Sequence, residues 1–139
     1  MISMNEKIIY KLIDEAKEIA SRNKCCKHSE YTVGAALLTQ NGKVYKGFNI
    51  ENGGIQSICA ERVAFAKALT NNEEKIIAIA IVGKNINKSS FIKTVPCGYC
   101  RQFMSEYADN NLKIYTFDEE ENKLYSYTLE ELLPEHFSL

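Results

Sequence analysis

Residues 59–83, CAERVAFAKALTNNEEKIIAIAIVG, contain a helix pattern followed by a strand pattern, and this pair decides the fold class. The Ala, Leu, Glu and Lys content of Cys59 to Leu69 predicts a helix. The run from Ile76 to Gly83 is apolar at successive positions, which is typical of a central strand covered by helices on both sides of a sheet. A helix followed by a strand buried on both faces indicates the α/β class.

The sequence before this pair continues the alternation of elements. Apolar residues at helical spacing predict an amphipathic helix from Asn5 to about Arg22. Two strand patterns follow, VGAALLT at 33–39 and KVYKGFN at 43–49, and the dipeptide Asn41-Gly42 between them predicts a hairpin.

The sequence after the pair completes the predicted architecture. A short helix is predicted from about Gly98 to Ala108, because Pro96 is well tolerated just before a helix start. The segments LKIYTFD (112–118) and KLYSYTL (123–129) predict two more strands, and LEELLPEHFSL predicts a helical turn that ends at Pro134. We therefore expect an α/β fold, a three-layer α/β/α sandwich around a mixed five-stranded sheet with an antiparallel hairpin at one end.

Length and composition fit a single domain over residues 1–139 and exclude several functional classes. The chain is 45% hydrophobic and 25% charged, which is ordinary for a globular domain. Seventeen basic and eighteen acidic residues give a formal charge of -1, so nucleic acid is not an expected partner. The longest apolar stretches fall short of the roughly 20 residues that cross a bilayer, and the start MISMNEK has no signal-peptide pattern. We expect a cytoplasmic protein with no membrane partner.

The cysteines point to a metal site. Five cysteines, an odd number in a chain expected in the reducing cytosol, favour metal binding or thiol chemistry over disulfides. Cys59, Cys97 and Cys100 stand at the predicted starts of two helices that flank the central strand, and this arrangement can bring the thiols together. A catalytic zinc site uses three protein ligands with a water in the fourth position. The sequence therefore predicts one Zn²⁺ ion per subunit on these three cysteines.

Two charged residues, Glu61 and Arg62, lie two and three positions after the first predicted ligand. Glu61 lies two residues after Cys59, so its carboxylate is expected beside the water of the zinc site. There it can take a proton from the water and deliver it to a leaving amine. Arg62 is expected to donate hydrogen bonds to a thiolate and so to support the ligands. The set predicts hydrolytic deamination.

Two other interpretations of the cysteines remain open from the residues alone. A Cys-x-x-Cys motif at residues 97–100 also fits the redox site of thioredoxin-like folds, which would leave Glu61 without a role. A structural zinc site would need a fourth ligand, for which the chain offers Cys25, Cys26 and His28.

Five segments occur in one characteristic order: VGAALLT with its hairpin, NIEN at 49–52, CAER at 59–62, PCGYCRQ at 96–102, and the closing ELLPEHF. In these segments the chain resembles the cytidine deaminases over nearly its whole length. The three-Cys version of the site is similar to the small, homotetrameric class, whose members have the helix-sheet-helix deaminase fold. The resemblance implies zinc on Cys59, Cys97 and Cys100 and a proton shuttle at Glu61.

The resemblance also implies a binding site for a small-molecule nucleoside. Asn49 and Glu51 match positions that hydrogen-bond sugar hydroxyls, and Ala60 matches a position whose backbone contacts the base. Tyr31 stands where the family usually has a Phe packing near the pyrimidine. Phe137 resembles a C-terminal aromatic residue that reaches the site of a neighbouring subunit.

The resemblance implies that the chain converts cytidine and 2′-deoxycytidine to uridine and 2′-deoxyuridine, with release of ammonia, in pyrimidine salvage. The segment GGIQSI is about one residue shorter than in the family and lacks the usual aromatic residue. This difference favours an alternative, a deaminase of a related cytosine nucleoside such as blasticidin S, which the retained Asn49 and Glu51 oppose. The near-neutral charge opposes a polynucleotide-editing deaminase.

Overall fold

The computed structural model describes residues 4–139 and contains a five-stranded sheet between two layers of helices. The sheet is mixed, with strand order β2-β1-β3-β4-β5; β3 and β4 are parallel and the other neighbours are antiparallel. The predicted α/β class and the predicted order of elements are confirmed. In chain order the elements are α1 (Glu6–Ser21), β1 (Tyr31–Thr39), β2 (Val44–Phe48), α2 (Ala60–Thr70), β3 (Ile76–Asn85), α3 (Gly98–Tyr107), β4 (Lys113–Asp118), β5 (Lys123–Thr128) and α4 (Leu129–Leu132).

Two apolar cores join the three layers. On one face of the sheet α1 packs through Leu12, Ile13 and Ala16. On the other face α2 and α3 meet around Phe65 and Met104, both fully buried. The central strand β3 contributes to both cores, as its continuous apolar run predicted, through Ala78, Ile79, Ala80, Ile81 and Val82.

Strands β1 and β3 are longer than their apolar patterns predicted. Tyr31 pairs with Asn85 and Thr32 pairs with Lys84 in the antiparallel ladder between these strands. The polar residues Lys84 and Asn85 therefore belong to β3 and not to the loop that follows it. Hydrogen bonding across the sheet extends both strands beyond the point where the apolar pattern ends.

The helix α1 approaches β1 very closely at Gly34. A Cβ atom at this position would lie 2.1 Å from the carbonyl oxygen of Ala16 and 2.8 Å from the Cβ of Ala20. Only glycine fits there without moving the helix away from the sheet. Within residues 4–139, no helix has the length and apolar character that crossing a membrane requires.

Candidate active site

Three thiols from the starts of two helices meet beside the sheet. Cys59 and Cys97 are the N-cap residues of α2 and α3, and Cys100 lies in the first turn of α3. The three Sγ atoms lie within 4.8 Å of one another, and those of Cys59 and Cys97 are 3.9 Å apart. The Cys100 backbone N–H donates to the Cys97 Sγ at 3.4 Å, which fixes that thiol over the helix end.

The arrangement of the thiols fits a zinc ion. Tetrahedral zinc with Zn–S distances of about 2.3 Å places its sulfur ligands about 3.8 Å apart. The separation of 3.9 Å between the Cys59 and Cys97 Sγ atoms matches this requirement. Helix N-termini also favour the thiolate forms that bind metal.

The ligand cluster has three members among the described residues. It is the one group of three or more possible metal ligands in residues 4–139, and it includes neither His28 nor the two remaining cysteines. The closed structural site with a fourth ligand from Cys25, Cys26 or His28 is therefore not formed by these residues. A three-ligand site is the kind that keeps a coordination position for water.

Arg62 lies against the thiol of Cys59. Its Nη2 is 3.6 Å from the Cys59 Sγ and donates to the Ser57 carbonyl oxygen at 3.3 Å. The guanidinium carbon lies 4.4 Å from the centroid of the Tyr99 ring. Hydrogen bonds from the Cys100 thiol and from Arg62 lower the pKa of Cys59, and this stabilises the thiolate.

Glu61 is buried in the first turn of α2, next to the thiols. Its exposed fraction is 4%. Burial raises the pKa of Glu61 to about 7, and the negative charge of Cys59 acts in the same direction. A buried carboxyl that exchanges its proton near neutral pH is suited to proton transfer.

A cavity of about 260 Å³ joins this cluster to the predicted substrate residues. Its wall includes Glu61 together with Asn49, Glu51 and Ala60. The sequence assigned no individual role to five further wall residues, which lie in β1, in the GGIQSI segment and in the loop before Pro96. They are Val33, Ser57, Ile58, Thr94 and Val95, and the predicted ligands Cys59 and Cys97 complete the wall.

Backbone groups hold the two polar residues of this wall. The Val33 N–H donates to the Asn49 Oδ1 at 2.8 Å. The N–H groups of His28 and Ser29 donate to the Glu51 Oε1 at 3.0 Å and 3.2 Å. Hydrogen bonds from the Ser29 side chain and from these backbone groups hold the pKa of Glu51 below its ordinary value of 4.5, so it is a carboxylate at neutral pH.

Two predicted substrate residues lie outside the lining of this cavity. Tyr31 lines a neighbouring cavity with Lys84, and a Cβ atom at Gly83 would lie 2.8 Å from its ring. Tyr31 pairs with Asn85 at the start of β1, and its ring lies over Gly83 of β3. Phe137 is 66% exposed, and its carbonyl oxygen accepts a hydrogen bond from the Gln102 Nε2 at 3.0 Å. Neither side chain therefore lines the wall around Glu61 within this chain.

Comparison with known proteins gives consistent matches. The family model for the cytidine and deoxycytidylate deaminase zinc-binding region matches residues 6–116. A cytidine deaminase of Sporosarcina psychrophila is 35% identical over 131 residues, which are 94% of this chain and 91% of that protein. A blasticidin-S deaminase of Bacillus cereus is 31% identical over 111 residues, or 76% of each chain.

The structural comparison gives the same result. The crystal structure of cytidine deaminase from Burkholderia pseudomallei matches with a TM-score of 0.79 at 34% identity. The match covers 96% of this chain and 100% of that one. The fold, the thiol cluster and the sequence matches therefore all indicate the same family. The chain belongs to the cytidine deaminase family of zinc-binding hydrolases that act on C–N bonds.

Proposed function

We propose that this protein deaminates free cytosine nucleosides as a single catalytic domain. It converts cytidine and 2′-deoxycytidine, each with one water, to uridine and 2′-deoxyuridine with one ammonia, for pyrimidine salvage in the cytoplasm. The observation that carries the proposal is one cavity whose wall holds Glu61, two of the zinc-binding thiols and the polar residues Asn49 and Glu51. Groups for hydrolysis and for sugar binding therefore face the same space.

The chemistry follows from the residues around the thiols. Cys59, Cys97 and Cys100 would hold a zinc ion, which would supply a Lewis acid that favours a nucleophilic water near neutral pH. Glu61 is placed to take a proton from the attacking water and to give it to N3 of the cytosine ring, while the water oxygen forms a bond to C4. Glu61 then carries the second proton of that oxygen to the exocyclic amine. The C4–N bond breaks, ammonia leaves, and the oxygen remains as the C4 carbonyl of uracil.

The wall of the cavity supports binding of the rest of the nucleoside. Ala60 is fully buried between the first ligand and Glu61, where its backbone can contact the base. Asn49 and Glu51 offer an amide and a carboxylate to the sugar. Arg62 supports the thiolate form of Cys59 through the contact of 3.6 Å to its sulfur.

Blasticidin S is the second candidate substrate, supported by the relative from Bacillus cereus that is named for it. An ultraviolet assay that follows loss of the cytosine band separates the two. With the zinc-loaded protein we expect rapid loss with cytidine and at least tenfold slower loss with blasticidin S. The opposite ratio would show that the antibiotic is the substrate, and no loss with either compound would contradict the proposed deamination.

We further propose that the protein forms a homotetramer in which Phe137 of one subunit reaches the cavity of a neighbour. The side chains of Ile55, Tyr99 and Phe137 are 101%, 67% and 66% exposed and so are available for contact with a neighbouring subunit. Sedimentation equilibrium should give four times the subunit mass of 15.8 kDa. Phe137→Ala should weaken nucleoside binding, whereas a monomer in the parent would contradict the assembly.

A further inference from the structure

Asn23, in the segment that follows α1, contacts the side chain of Asn49. The Nδ2 of Asn23 donates to the Asn49 Oδ1 at 2.7 Å and lies 3.2 Å from the Asn49 carbonyl oxygen. The backbone N–H of Cys25 donates to the Asn23 Oδ1 at 2.7 Å. Because that N–H requires an acceptor, it fixes which end of the Asn23 amide faces Asn49.

The neighbours of Asn49 allow its amide only one orientation. Its Oδ1 accepts from the Val33 N–H at 2.8 Å as well as from Asn23, and its Nδ2 donates to the Tyr31 carbonyl oxygen at 3.0 Å. The oxygen therefore uses both acceptor positions within the protein. The second N–H of Nδ2 has no acceptor among residues 4–139, and Asn49 lines the cavity. Asn49 thus offers a ligand one donor and no acceptor.

Glu51 supplies the complementary acceptor two residues later. Its Oε1 already accepts two backbone N–H groups, but an ionised carboxylate has about four acceptor positions. It also lines the cavity. A sugar hydroxyl donates one hydrogen bond and accepts others. The donor of Asn49 and the acceptor of Glu51 therefore match a single hydroxyl group.

We propose that Asn23 is a positioning residue for nucleoside binding. By holding the Asn49 Oδ1, it keeps the free N–H of Asn49 directed to the ligand beside Glu51, so that nucleosides with sugar hydroxyls bind more tightly than those without. The inference rests on the proposed function and deepens it. Without Asn23 the Asn49 amide keeps the Val33 N–H and the Tyr31 carbonyl oxygen but loses the second donor to its oxygen, so it is held less firmly beside the ligand.

A second contact of Asn23 provides a matched control. Its Nδ2 lies 3.1 Å from the Thr32 Oγ1, and the Thr32 hydroxyl donates to the Ala20 carbonyl oxygen at 2.8 Å. This branch ties the segment to α1 without touching Asn49 or Glu51. Thr32→Val removes the branch and leaves the bond between Asn23 and Asn49 in place.

The test compares the zinc-loaded parent with Asn23→Asp and Thr32→Val. Asn23→Asp keeps the size of the side chain and the acceptor for the Cys25 N–H, but places an oxygen against the Asn49 Oδ1. Calorimetry gives the dissociation constants of uridine and 2′,3′-dideoxyuridine. We expect the parent to bind uridine about tenfold more tightly. Asn23→Asp should reduce this preference to within about twofold, and Thr32→Val should keep it.

Three results would overturn the inference. The first is equal binding of uridine and 2′,3′-dideoxyuridine by the parent. The second is an undiminished preference for uridine in Asn23→Asp. The third is a loss of this preference in Thr32→Val as large as that in Asn23→Asp. If Asn23→Asp does not fold, Asn23→Ala removes the same donor without adding a charge and is judged by the same ratio. A parent without cytidine turnover argues against the proposed function, whereas an active parent with an unchanged preference in the Asn23 variant argues against Asn23 alone.

Discussion

The Sγ atoms of Cys59 and Cys97 lie 3.9 Å apart although the two residues are 38 positions apart in the chain. Each residue caps a different helix, and β3 lies between those helices in the sequence. The distance therefore depends on how α2 and α3 pack on the same face of the sheet. A metal ion held by both helices is coupled to the stability of this packing.

Removal of zinc should lower the thermal stability of the protein. A ligand at about a thousand times its dissociation constant stabilises the folded state by about 4 kcal/mol. For a chain of this length, that corresponds to a fall of about 14 °C in melting temperature after chelation. Differential scanning calorimetry before and after chelation, with re-addition of zinc as the control, measures the change. An unchanged melting temperature would contradict the coupling.

Cys97→Ala should abolish zinc binding and activity together, because two thiols do not complete a three-ligand site. Metal analysis should fall from about one zinc per chain to near zero. Cys25→Ala is the matched control, since Cys25 lies outside the thiol cluster of the described residues. A full equivalent of zinc in Cys97→Ala would show that the ligand assignment is wrong.

Glu61→Gln should keep the zinc and lose turnover. The amide has the shape of the carboxyl and fits the same buried position, but it does not take up and release a proton. General acid–base catalysis contributes roughly 10²- to 10⁴-fold, so kcat should fall by at least about 10². The exposed Glu130→Gln on α4 serves as the control. A rate within tenfold of the parent would exclude Glu61 as the proton shuttle.

Gly34→Ala should destabilise the fold, because the new Cβ would lie 2.1 Å from the Ala16 carbonyl oxygen. Neither the helix backbone nor the central strands can shift cheaply, and overpacking of this kind costs about 1–3 kcal/mol. Urea unfolding followed by circular dichroism measures the loss. Gly54→Ala is the matched control, since its nearest atom would lie at 3.7 Å. Equal stability of the two variants would contradict the close approach of α1.

Asp118 should make stability depend on acid pH. Its carboxylate accepts hydrogen bonds from the backbone N–H groups of Glu121 and Lys93 at 2.9 Å and 3.1 Å. Such bonds, that of Glu121 foremost, hold the pKa of Asp118 below its ordinary value of 3.8. A lowered pKa stabilises the folded state above the ordinary pKa, and this stabilisation is lost as the pH falls below it.

The free energy of unfolding should therefore decrease from about pH 5 to about pH 3 less steeply in Asp118→Asn than in the parent. Asn substitution of the exposed Asp14 is the control for loss of a charge alone. Chemical unfolding at a series of pH values measures both slopes. Parallel slopes for the parent and Asp118→Asn would show that the hydrogen-bonded carboxylate does not contribute. The Asp118 carboxylate also positions the cavity wall, because it accepts from the N–H of Lys93, and the next residue, Thr94, lines the cavity.

Local patterns in the sequence predicted the fold class and the chemistry of the site. Helical spacing and the apolar run from Ile76 to Gly83 depend on neighbouring residues, so they are visible without the fold. The zinc ligands were also predictable, because a helix start presents its cap and first-turn side chains at one end. Cys59 and Cys97 are therefore found together once the two helices are placed.

Only the tertiary structure decided how the wall of the cavity is built. Asn23 meets Asn49 across 26 positions of the chain, and Tyr31 joins a strand by pairing with Asn85. These contacts arise between segments that are distant in the sequence, through hydrogen bonds whose partners are set by packing. No local periodicity encodes these contacts. The sequence by itself determined the thiols and the carboxyl that are expected to carry the reaction, because their spacing is local, whereas the packed fold decided which side chains orient around them.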